Sequence, residues 1–599
     1  MCGVVGIATA AGSVRAEEIS EMAHRQAHRG PDGVGALVAD DGHVGLAMNL
    51  LAIVDSSVRP GPYLDQASGV LLTYNGEIYN YRELAERWGI RLLPGESDAH
   101  LALRAYVRFG AECLDHFDGM FALAVYDPRH RRLFLARDRF GEKPLYYRLE
   151  AERLLFASEV KALSAVTSLE PEFVPEWITI ESPLGSGTPY DQVELLEPGH
   201  HLTLDLRTWS VSKQCWWSLD RSTRRVPSDP GEVRAEFDTL LRSSVERRRS
   251  DGDFALMLSG GLDSAILAFL LRPPVLLTVR YAGQERYDEF GLARQVAQAI
   301  GSELIVVEPT EKDFRAHAEP IVHFLDYPMG NASLLSEYML YAKAAELGIR
   351  VVHGGIGPDE LLLGYVRHSL ALDGPAAVSA PGLSSYRPLQ KRFEQAATRR
   401  ASAADRYYRL ILRGPDLTAN TRRLVHQCFA RSRDLGQAVS LVDLHTAFPS
   451  LLLTSDKLAS AFGIERRSPF LAHEWAEFCF NLPIELKRDG AYTKRLLRDF
   501  GSDLGVPREV WSQVDKRGFG SPVPEWLGTS LSEWCDGHLR HLQEERAPVL
   551  AQLVGRQARG SLSKFDRSRY LGLLISLWWQ RSGGRSAGPS LVEGVAGSR

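Results

Sequence analysis

The sequence predicts an α+β domain at the start of the chain, followed by an α/β domain with a parallel sheet and a helical end. Three observations carry this prediction. The chain has 599 residues, more than one hydrophobic core normally serves. Short apolar runs bounded by turn residues dominate roughly the first 210 residues. Beyond Pro230 such runs alternate with helical segments, which is typical of a parallel sheet.

The strands of the first domain are predicted from six runs of apolar and β-branched residues, with helical stretches between them. The runs are CGVVGIA, VGLAMNLLAIVD, GVLLTYNGEIY, MFALAVYD, RRLFLARD and RLLFASE, and the helical stretches include EEISEMAHRQAH and SDAHLALRAYVRFG. Strands and helices mixed in this way indicate an α+β fold.

The second domain is predicted to begin after a linker. The polar segment RSTRRVPSDPGE, residues 221–232, contains two prolines. Buried-type strands follow in FALML, PVLLTVRY, SELIVVE and RVVHG, and the pattern after residue 400 is mostly helical. We therefore expect domains at 2–210 and 230–545, and a C-terminal helical extension with a loose tail at 546–599.

Composition argues against several function classes. The net charge of −5 gives no reason to expect a nucleic-acid partner. Six cysteines are scattered without metal-type spacing, which is typical of reduced thiols. No apolar stretch approaches the roughly 18 residues of a membrane span, and the N-terminus lacks the basic segment of a signal peptide. We expect a cytoplasmic protein with no membrane partner.

The strongest motif is SGGLDS, residues 259–264, which joins a buried strand to a helix. A glycine-rich turn before a helix presents backbone N–H groups to an anion. The motif resembles the pyrophosphate loop of the ATP-pyrophosphatases, which cleave ATP between its α- and β-phosphates. The resemblance implies a pyrophosphate cradle from Ser259, Gly260, Gly261 and Ser264, and a Mg²⁺ ligand in Asp263. The alternative is a plain helix-capping turn.

A second set of motifs lies in the first domain. It comprises Cys2-Gly3-Val4-Val5-Gly6, HRGPDG at 28–33, YNGEIYN at 74–80, Ser97-Asp98, DGMFA at 118–122 and ARDRFG at 136–141. Together they resemble the class II, N-terminal-nucleophile glutamine amidotransferase domain. With SGGLDS, the chain over roughly residues 2–540 resembles the glutamine-hydrolysing asparagine synthetase family. The resemblance implies an αββα glutaminase domain before the ATP-pyrophosphatase domain.

The resemblance also explains a cysteine at position 2. Once Met1 is removed, the Cys2 thiol is the nucleophile and its own α-amino group, with a pKa near 8, is the base. Asn75 and Gly76 resemble the oxyanion-hole pair, although an Asn-Gly pair also favours a hairpin turn. Asp98 resembles the acid that holds the glutamine α-amino group, and Glu77 lies beside that pocket.

The second synthetase segment is HGGIGPDELLLGY, residues 353–365. By resemblance, Gly354 and Gly355 contact the nucleotide and Asp359 is a second Mg²⁺ ligand. Further positions that match the family are Leu258 and Val279 for the adenosine pocket, the acidic pair Asp288-Glu289, and Lys494 and Lys516 near the phosphates. A solvated surface lysine is the alternative for the last two. ATP and Mg²⁺ are the expected cofactors.

Two positions depart from the family pattern. Leu50 stands where the family has an arginine that pairs with the glutamine α-carboxylate, and Arg59 is the nearby cation that could replace it. Ile356 stands where most members have an acid linked to the acyl-adenylate step. Either another acid such as Glu360 serves, or the acceptor or nucleophile differs from aspartate and ammonia.

Four functions stay open at this point. The first is glutamine- and ATP-dependent amidation of aspartate, and the second is the same reaction on a different carboxylate or amine. The third is a ring-closing ligase of the β-lactam-synthetase type, and the fourth is a non-catalytic relative. The expected partners are glutamine, ATP and a carboxylate acceptor, with a homodimer suggested by the family.

Overall fold

The computed structural model describes most of the chain. The described residues are 2–53, 58–163, 173–182, 184–284, 286–331, 333–378, 383, 386–396, 401–414, 416–490, 492–514, 520–544 and 567–581. Lys516 and the predicted loose tail after residue 581 lie outside the described residues.

The first part of the chain contains two antiparallel sheets. Its strands are β1 Gly3–Thr9, β2 Gly33–Val38, β3 Val44–Leu50, β4 Tyr63–Leu64, β5 Leu71–Ile78, β6 Gly119–Asp127, β7 Arg132–Arg137, β8 Tyr146–Leu149, β9 Arg153–Ala157, β10 Val193–Leu195, β11 His200–Asp205 and β12 Ser210–Cys215. The strand orders are β10-β8-β9-β1-β3-β2 and β12-β11-β7-β6-β5-β4. Its α-helices are α1 Ala16–Arg25, α2 Tyr81–Trp88, α3 Asp98–Phe109 and α4 Phe173–Ile180.

Strand alternation stacks these sheets face to face. In β1, Val4 belongs to a core cluster with Leu71 of the other sheet, whereas the next residue, Val5, packs in a cluster with Ile19 of α1. The outer face of the second sheet packs against α3 through a cluster that includes Leu101. The layers are therefore helix, sheet, sheet and helix, which confirms the αββα fold expected for this part of the chain.

The second part combines a parallel sheet with many helices. Its strands are β13 Phe254–Met257, β14 Val275–Val279, β15 Glu303–Val307, β16 Val351–His353 and β17 Glu465–Arg467, in the order β15-β14-β13-β16-β17, and a separate pair, β18 Arg488–Asp489 and β19 Tyr492–Thr493. Its helices are α5 Pro230–Arg247, α6 Leu262–Leu271, α7 Phe290–Ile300, α8 Glu311–Leu325, α9 Leu334–Glu346, α10 Pro358–Leu361, α11 Val366–Asp373, α12 Arg387–Ala396, α13 Ala403–Ile411, α14 Ala419–Arg431, α15 Leu435–His445, α16 Ala447–Ser460, α17 His473–Asn481, α18 Ile484–Lys487, α19 Arg495–Leu504, α20 Arg508–Trp511, α21 Val523–Trp526, α22 Ser532–Glu544 and α23 Ser568–Arg581.

Helices cover both faces of the parallel sheet. In β13, Leu256 packs in a cluster with Ala265 of α6, whereas Met257 packs in a cluster with Ile321 of α8. The strands from β13 to β17 pair in parallel throughout. The α/β class and the helical C-terminal part predicted from the sequence are thereby confirmed.

One apolar helical stretch in the described part of the chain is long enough to cross a membrane by length and composition. It runs from Leu435 to Ser460, and 72% of its most apolar window is buried inside the protein. The stretch is two helices, α15 and α16, which meet at Thr446. Because most of it is buried against the rest of the protein, the stretch is a core element of the fold.

The topology brings the two glycine-rich segments together. SGGLDS follows the carboxyl end of β13, and the Gly354-Gly355 segment follows the carboxyl end of β16. Since β13 and β16 are adjacent parallel strands, both loops leave the same edge of the sheet. This edge is where open α/β sheets bind ligands.

Candidate active sites

Cys2 lies at the entrance to the central strand β1. The Cys2 nitrogen donates a hydrogen bond to Asn75 Oδ1 at 2.9 Å, and the Leu51 N–H points to the Cys2 Sγ at 3.5 Å. Burial raises the pKa of the Cys2 thiol. The contacts hold the sulfur and the backbone nitrogen of Cys2, and that nitrogen is an α-amino group, able to act as a base, only after Met1 is removed.

Asn75 and Gly76 lie inside β5, which excludes the alternative that they form a hairpin turn. Asn75 is fully buried, and its Nδ2 has no hydrogen-bond partner among the residues that the structure describes. A Cβ on Gly76 would lie 2.2 Å from the Met120 carbonyl oxygen, so only glycine fits against β6. The unused amide donor beside Cys2 is of the kind that stabilises an oxyanion.

Two buried acids line the same region. Asp98 Oδ2 accepts hydrogen bonds from the Tyr74 hydroxyl at 2.6 Å and the Ile78 N–H at 2.9 Å. Burial raises the pKa of Asp98 to about 6. Burial and the nearby Asp98 also raise the pKa of Glu77, whose Oε2 lies 3.8 Å from Arg467 Nη2. A ligand ammonium group would relieve the cost of two adjacent carboxyl groups.

The SGGLDS segment forms a tight, hydrogen-bonded loop before α6. The Ser264 Oγ accepts from the Ser259 N–H at 3.2 Å and donates to the Gly261 carbonyl at 3.1 Å. Gly260 has φ +81, and a Cβ there would lie 2.9 Å from the Glu289 carbonyl oxygen. The loop conformation thus depends on glycine at position 260.

Lys494 is buried between two aspartates. Its Nζ lies 2.6 Å from Asp263 Oδ2 and 2.6 Å from Asp359 Oδ1. Burial lowers the pKa of Lys494, and its backbone is left-handed at φ +54. The lysine is therefore not a surface residue, and its unusual backbone marks a constrained position.

This cluster suits a magnesium ion that arrives with nucleotide phosphates. Asp263 and Asp359 converge on one point from the two glycine-rich segments, and carboxylate oxygens are the ligands that Mg²⁺ prefers. Among the residues that the structure describes, no group of three or more His, Cys, Asp or Glu side chains forms a metal site. One or two carboxylates plus phosphates is the usual arrangement for Mg²⁺.

The remaining predicted nucleotide residues divide into three groups. Gly354 and Gly355 line the same cavity as Asp263, and a Cβ on Gly355 would lie 3.2 Å from the Asp263 Cβ. The side chains of Leu258 and Val279 are buried in the core clusters. Lys516 falls in the segment 515–519, outside the described residues.

A cavity of about 440 Å³ extends from the SGGLDS loop. Its wall includes Ile356, Glu360 and Tyr365 after β16, and residues of α12 and α13 farther along the chain. The cavity therefore extends from the phosphate-type loop to the side chains of the later helices.

Comparison with known proteins agrees with this arrangement. The family model described as asparagine synthase matches residues 236–580, and the glutamine amidotransferase domain model matches residues 1–217. The chain belongs to the asparagine synthase family. Family membership makes it an ATP-dependent ligase of the glutamine-hydrolysing type.

Curated relatives of this family match most of the chain. Asparagine synthetase [glutamine-hydrolyzing] 1 of Bacillus subtilis is 27% identical over 91% of this chain and 91% of its own length. Asparagine synthetase [glutamine-hydrolyzing] 2 of the same organism is 28% identical over 83% of this chain and 69% of its own length. Amidase chry2 of Gibberella zeae is 26% identical over 89% of this chain and 90% of its own length.

The two departures from the asparagine synthase family pattern have different surroundings. Leu50 is buried in the core cluster that contains Cys2, whereas Arg59 is exposed, and its carbonyl accepts from the Tyr63 hydroxyl at 3.2 Å. Ile356 lines the cavity beside Glu360. Glu360 accepts from the Tyr365 hydroxyl at 2.6 Å, and burial raises the pKa of Glu360 to about 7.

The sequence analysis missed two features of this cavity. Arg413, at the end of α13, lies in the wall, and no sequence motif marks it. Strand β17 has no role in the sequence analysis, yet Arg466 lines the cavity while Arg467 reaches Glu77 beside Cys2. The signal for β17 is the run of three charged residues, Glu465–Arg467, inside a parallel sheet.

Proposed function

We propose that this protein transfers the amide nitrogen of glutamine to a carboxylate that it first adenylates with ATP. The observation that carries the proposal is the Cys2 site, where the Cys2 nitrogen is bonded to Asn75 Oδ1 and the Asn75 Nδ2 donor is unused. Removal of Met1 would give Cys2 a thiol and an amine on one residue, beside an amide donor that is unused among the described residues, and this combination suits the hydrolysis of an amide.

At the first site, Cys2 Sγ attacks the glutamine amide carbon and its proton passes to the α-amino group of Cys2. Asn75 Nδ2 and the Gly76 N–H stabilise the oxyanion, and Asp98 and Glu77 hold the glutamine α-ammonium group. Ammonia leaves, and water hydrolyses the thioester to glutamate. Since an α-amino group at position 2 requires removal of Met1, the mature chain begins with Cys2.

At the second site, the acceptor carboxylate attacks the α-phosphorus of ATP and pyrophosphate leaves. The SGGLDS loop and Lys494 bind the leaving phosphates, and Gly354 and Gly355 flank the nucleotide. Asp263 and Asp359 would hold Mg²⁺, which supplies charge neutralisation on the phosphates when bound. Ammonia then attacks the acyl-adenylate, which forms the amide and releases AMP.

Aspartate is the acceptor that the family implies. A different carboxylate is the second candidate, and it is favoured by Ile356, which cannot take a proton or pair with an ammonium group. A relative named as an amidase has a comparable identity to this chain. A homodimer stays an expectation from the family.

The experiment compares pyrophosphate release by wild type and Cys2→Ala with MgATP, an acceptor, and either glutamine or ammonium chloride. Wild type should use both nitrogen sources, and Cys2→Ala only ammonium. Cys428→Ala, at a buried thiol in a different core cluster from that of Cys2, is the matched control and should resemble wild type.

Two outcomes contradict the proposal. Glutamine-supported activity that survives in Cys2→Ala would exclude Cys2 as the nucleophile, and intact mass that retains Met1 would exclude its α-amino group as the base. Amide formation that needs neither glutamine nor ammonium would point to the ring-closing alternative.

A further inference from the structure

The wall of the cavity contains a cation, Arg413, that forms no ion pair with any residue in the described part of the chain. Arg413 follows α13 and is held by its backbone N–H, which donates to the Thr179 carbonyl at 2.8 Å. Its side chain lines the cavity. In the described part of the chain, no carboxylate lies within ion-pair distance of the Arg413 guanidinium, and that group donates no hydrogen bond.

The neighbouring charges do not compensate Arg413. Arg367 is paired with Asp443, with 2.6 Å between Nη2 and Oδ2, and Arg567 is paired with Glu181 at 2.9 Å. Three guanidinium groups therefore share two carboxylates. Burial and the nearby Arg567 and Arg367 lower the pKa of Arg413 to about 10, so it remains charged at neutral pH.

The cavity that contains both Arg413 and the phosphate loop has apolar as well as polar side chains in its wall. The apolar ones are those of Ile356, Val366, Tyr386, Leu389, Leu410 and Leu451. They come from different elements, and one of them is the isoleucine that replaces the acid of the family pattern. Apolar side chains of this kind bury the hydrocarbon body of a ligand.

The carboxylates whose charge acts on Arg413 in the described part of the chain already have cationic partners. Asp443 and Glu181 hold Arg367 and Arg567. Glu337, elsewhere in the wall, accepts from the Ser333 hydroxyl at 2.6 Å and the Ser455 hydroxyl at 2.8 Å. An α-amino acid presents an ammonium group beside its carboxylate, and an ammonium next to Arg413 would lie near the guanidinium groups of Arg367 and Arg567 as well.

We infer that Arg413 binds a second anionic group of the acceptor, and that the acceptor is an acid whose reacting carboxylate and this anion are separated by an apolar body. This inference rests on the proposed amide-forming function and names its substrate class. A guanidinium group in a low-dielectric wall is the side chain best suited to hold a carboxylate in two hydrogen bonds.

The test measures binding of a matched series of acids to the full-length protein loaded with Mg²⁺ and an ATP analogue whose α,β-bridge is methylene. Dicarboxylates from glutarate to suberate are compared with monocarboxylates of equal length and with aspartate. For at least one length, the dicarboxylate should bind roughly tenfold or more tightly than both its monocarboxylate partner and aspartate.

Arg413→Gln should remove this preference and leave monocarboxylate binding unchanged. Arg409→Gln is the matched control, because Arg409 lies on α13, shortly before Arg413, with 53% of its side chain exposed, and pairs with Asp416. It should keep the preference. Arg413→Met should not lower the melting temperature, since it removes a cation that has no partner, and this checks that the site variants fold.

The outcomes separate this inference from the proposed function. Equal binding of dicarboxylates and monocarboxylates at every length, a preference that survives in Arg413→Gln, or tighter binding of aspartate would each overturn the role of Arg413. Failure to bind the ATP analogue, or to hydrolyse glutamine, would instead contradict the proposed function.

Discussion

Individual residues at both sites are strained, or are buried with part of their hydrogen-bonding or ion-pairing capacity unused. Lys494 is buried with a left-handed backbone, and among the described residues Asn75 has an unused buried donor and Asp98 forms no ion pair with a cation. Such features cost stability in the absence of ligand, and they persist because the surrounding fold holds them. Each is therefore a place where substrate binding and stability oppose one another.

Asp98 gives a measurable case of this opposition. Its pKa is raised from 3.8 to about 6, so at pH 7 the ionised form is less stable in the folded protein than in the unfolded chain. The shift corresponds to about 3 kcal/mol. Asp98→Asn, which keeps an acceptor for Tyr74, should raise the free energy of unfolding at pH 7 by up to that amount and should lose glutamine hydrolysis.

The same shift predicts a pH dependence in wild type. As pH falls through 6, Asp98 gains a proton, the stability penalty disappears, and the group no longer pairs with the glutamine ammonium. KM for glutamine should therefore rise roughly tenfold per pH unit below 6. Asp115→Asn, at an exposed aspartate, is the control. A KM that stays flat from pH 8 to 5 would remove Asp98 from the glutamine site.

At the scale of elements, β17 serves both sites. Successive side chains of a strand point to opposite faces, so Arg466 reaches the cavity, where a Cβ on Gly354 would lie 2.5 Å from its Nη2. Arg467 points the other way, to Glu465 at 2.8 Å and Glu77 at 3.8 Å. Although burial opposes ionisation, Arg467 holds the pKa of Glu465 at about 2.

Arg467→Met should impair glutamine hydrolysis from outside the glutaminase domain. Without Arg467, Glu77 and Glu465 lose their cation and compete for a proton, so KM for glutamine should rise by about tenfold. Ammonium-supported pyrophosphate release should change less than twofold. Arg466→Met should show the reverse pattern, because it faces the cavity. Equal losses of both activities in both variants would mean that β17 supports the fold and has no separate role at either site.

Elements and local chemistry were predictable from the sequence to different extents. The short apolar runs, and their alternation with helical segments, predicted both fold classes. They do so because burial of one face of a strand or helix produces a regular spacing of apolar residues in the sequence. The sequence left a turn open as an alternative at Asn75-Gly76, but close packing against Met120, not chain reversal, requires that glycine. The position of Arg413 in the cavity could not be predicted, because it depends on helices that are distant in sequence from the phosphate loop.

At the scale of the whole molecule, the two halves share one core and a set of buried ion pairs. One cluster joins Val5 of β1 to Leu325 of α8. Asp456 of α16 lies 2.8 Å from Arg29 Nη2 and 3.3 Å from Lys143 Nζ, and both cations belong to the first half. Lys143 and Asp456 are almost wholly buried. The halves should therefore unfold together.

Asp456→Asn tests whether this buried ion-pair cluster stabilises the two halves as one unfolding unit. It leaves Lys143 without its ionic partner and weakens the pairing of Arg29, which keeps Glu159 at 3.1 Å. Breaking a buried pair in this way costs about 3–5 kcal/mol, so the calorimetric transition should move to lower temperature. Asp489→Asn, at an exposed aspartate, should leave it in place. Two separate transitions in wild type would contradict a shared core.

The same variant should reduce the yield of amide per glutamine hydrolysed. Ammonia produced at Cys2 is useful only if it reaches the acyl-adenylate before water protonates it. This requires the two halves of the protein to keep their relative position. Arg29 connects the two requirements, because its Nε donates to the Cys2 carbonyl at 3.1 Å while its Nη2 holds Asp456. Asp456→Asn should therefore release free ammonia at a glutamine-hydrolysis rate close to that of wild type. If the yield is unchanged from wild type while the predicted loss of stability is seen, the relative position of the two halves does not depend on this ion pair.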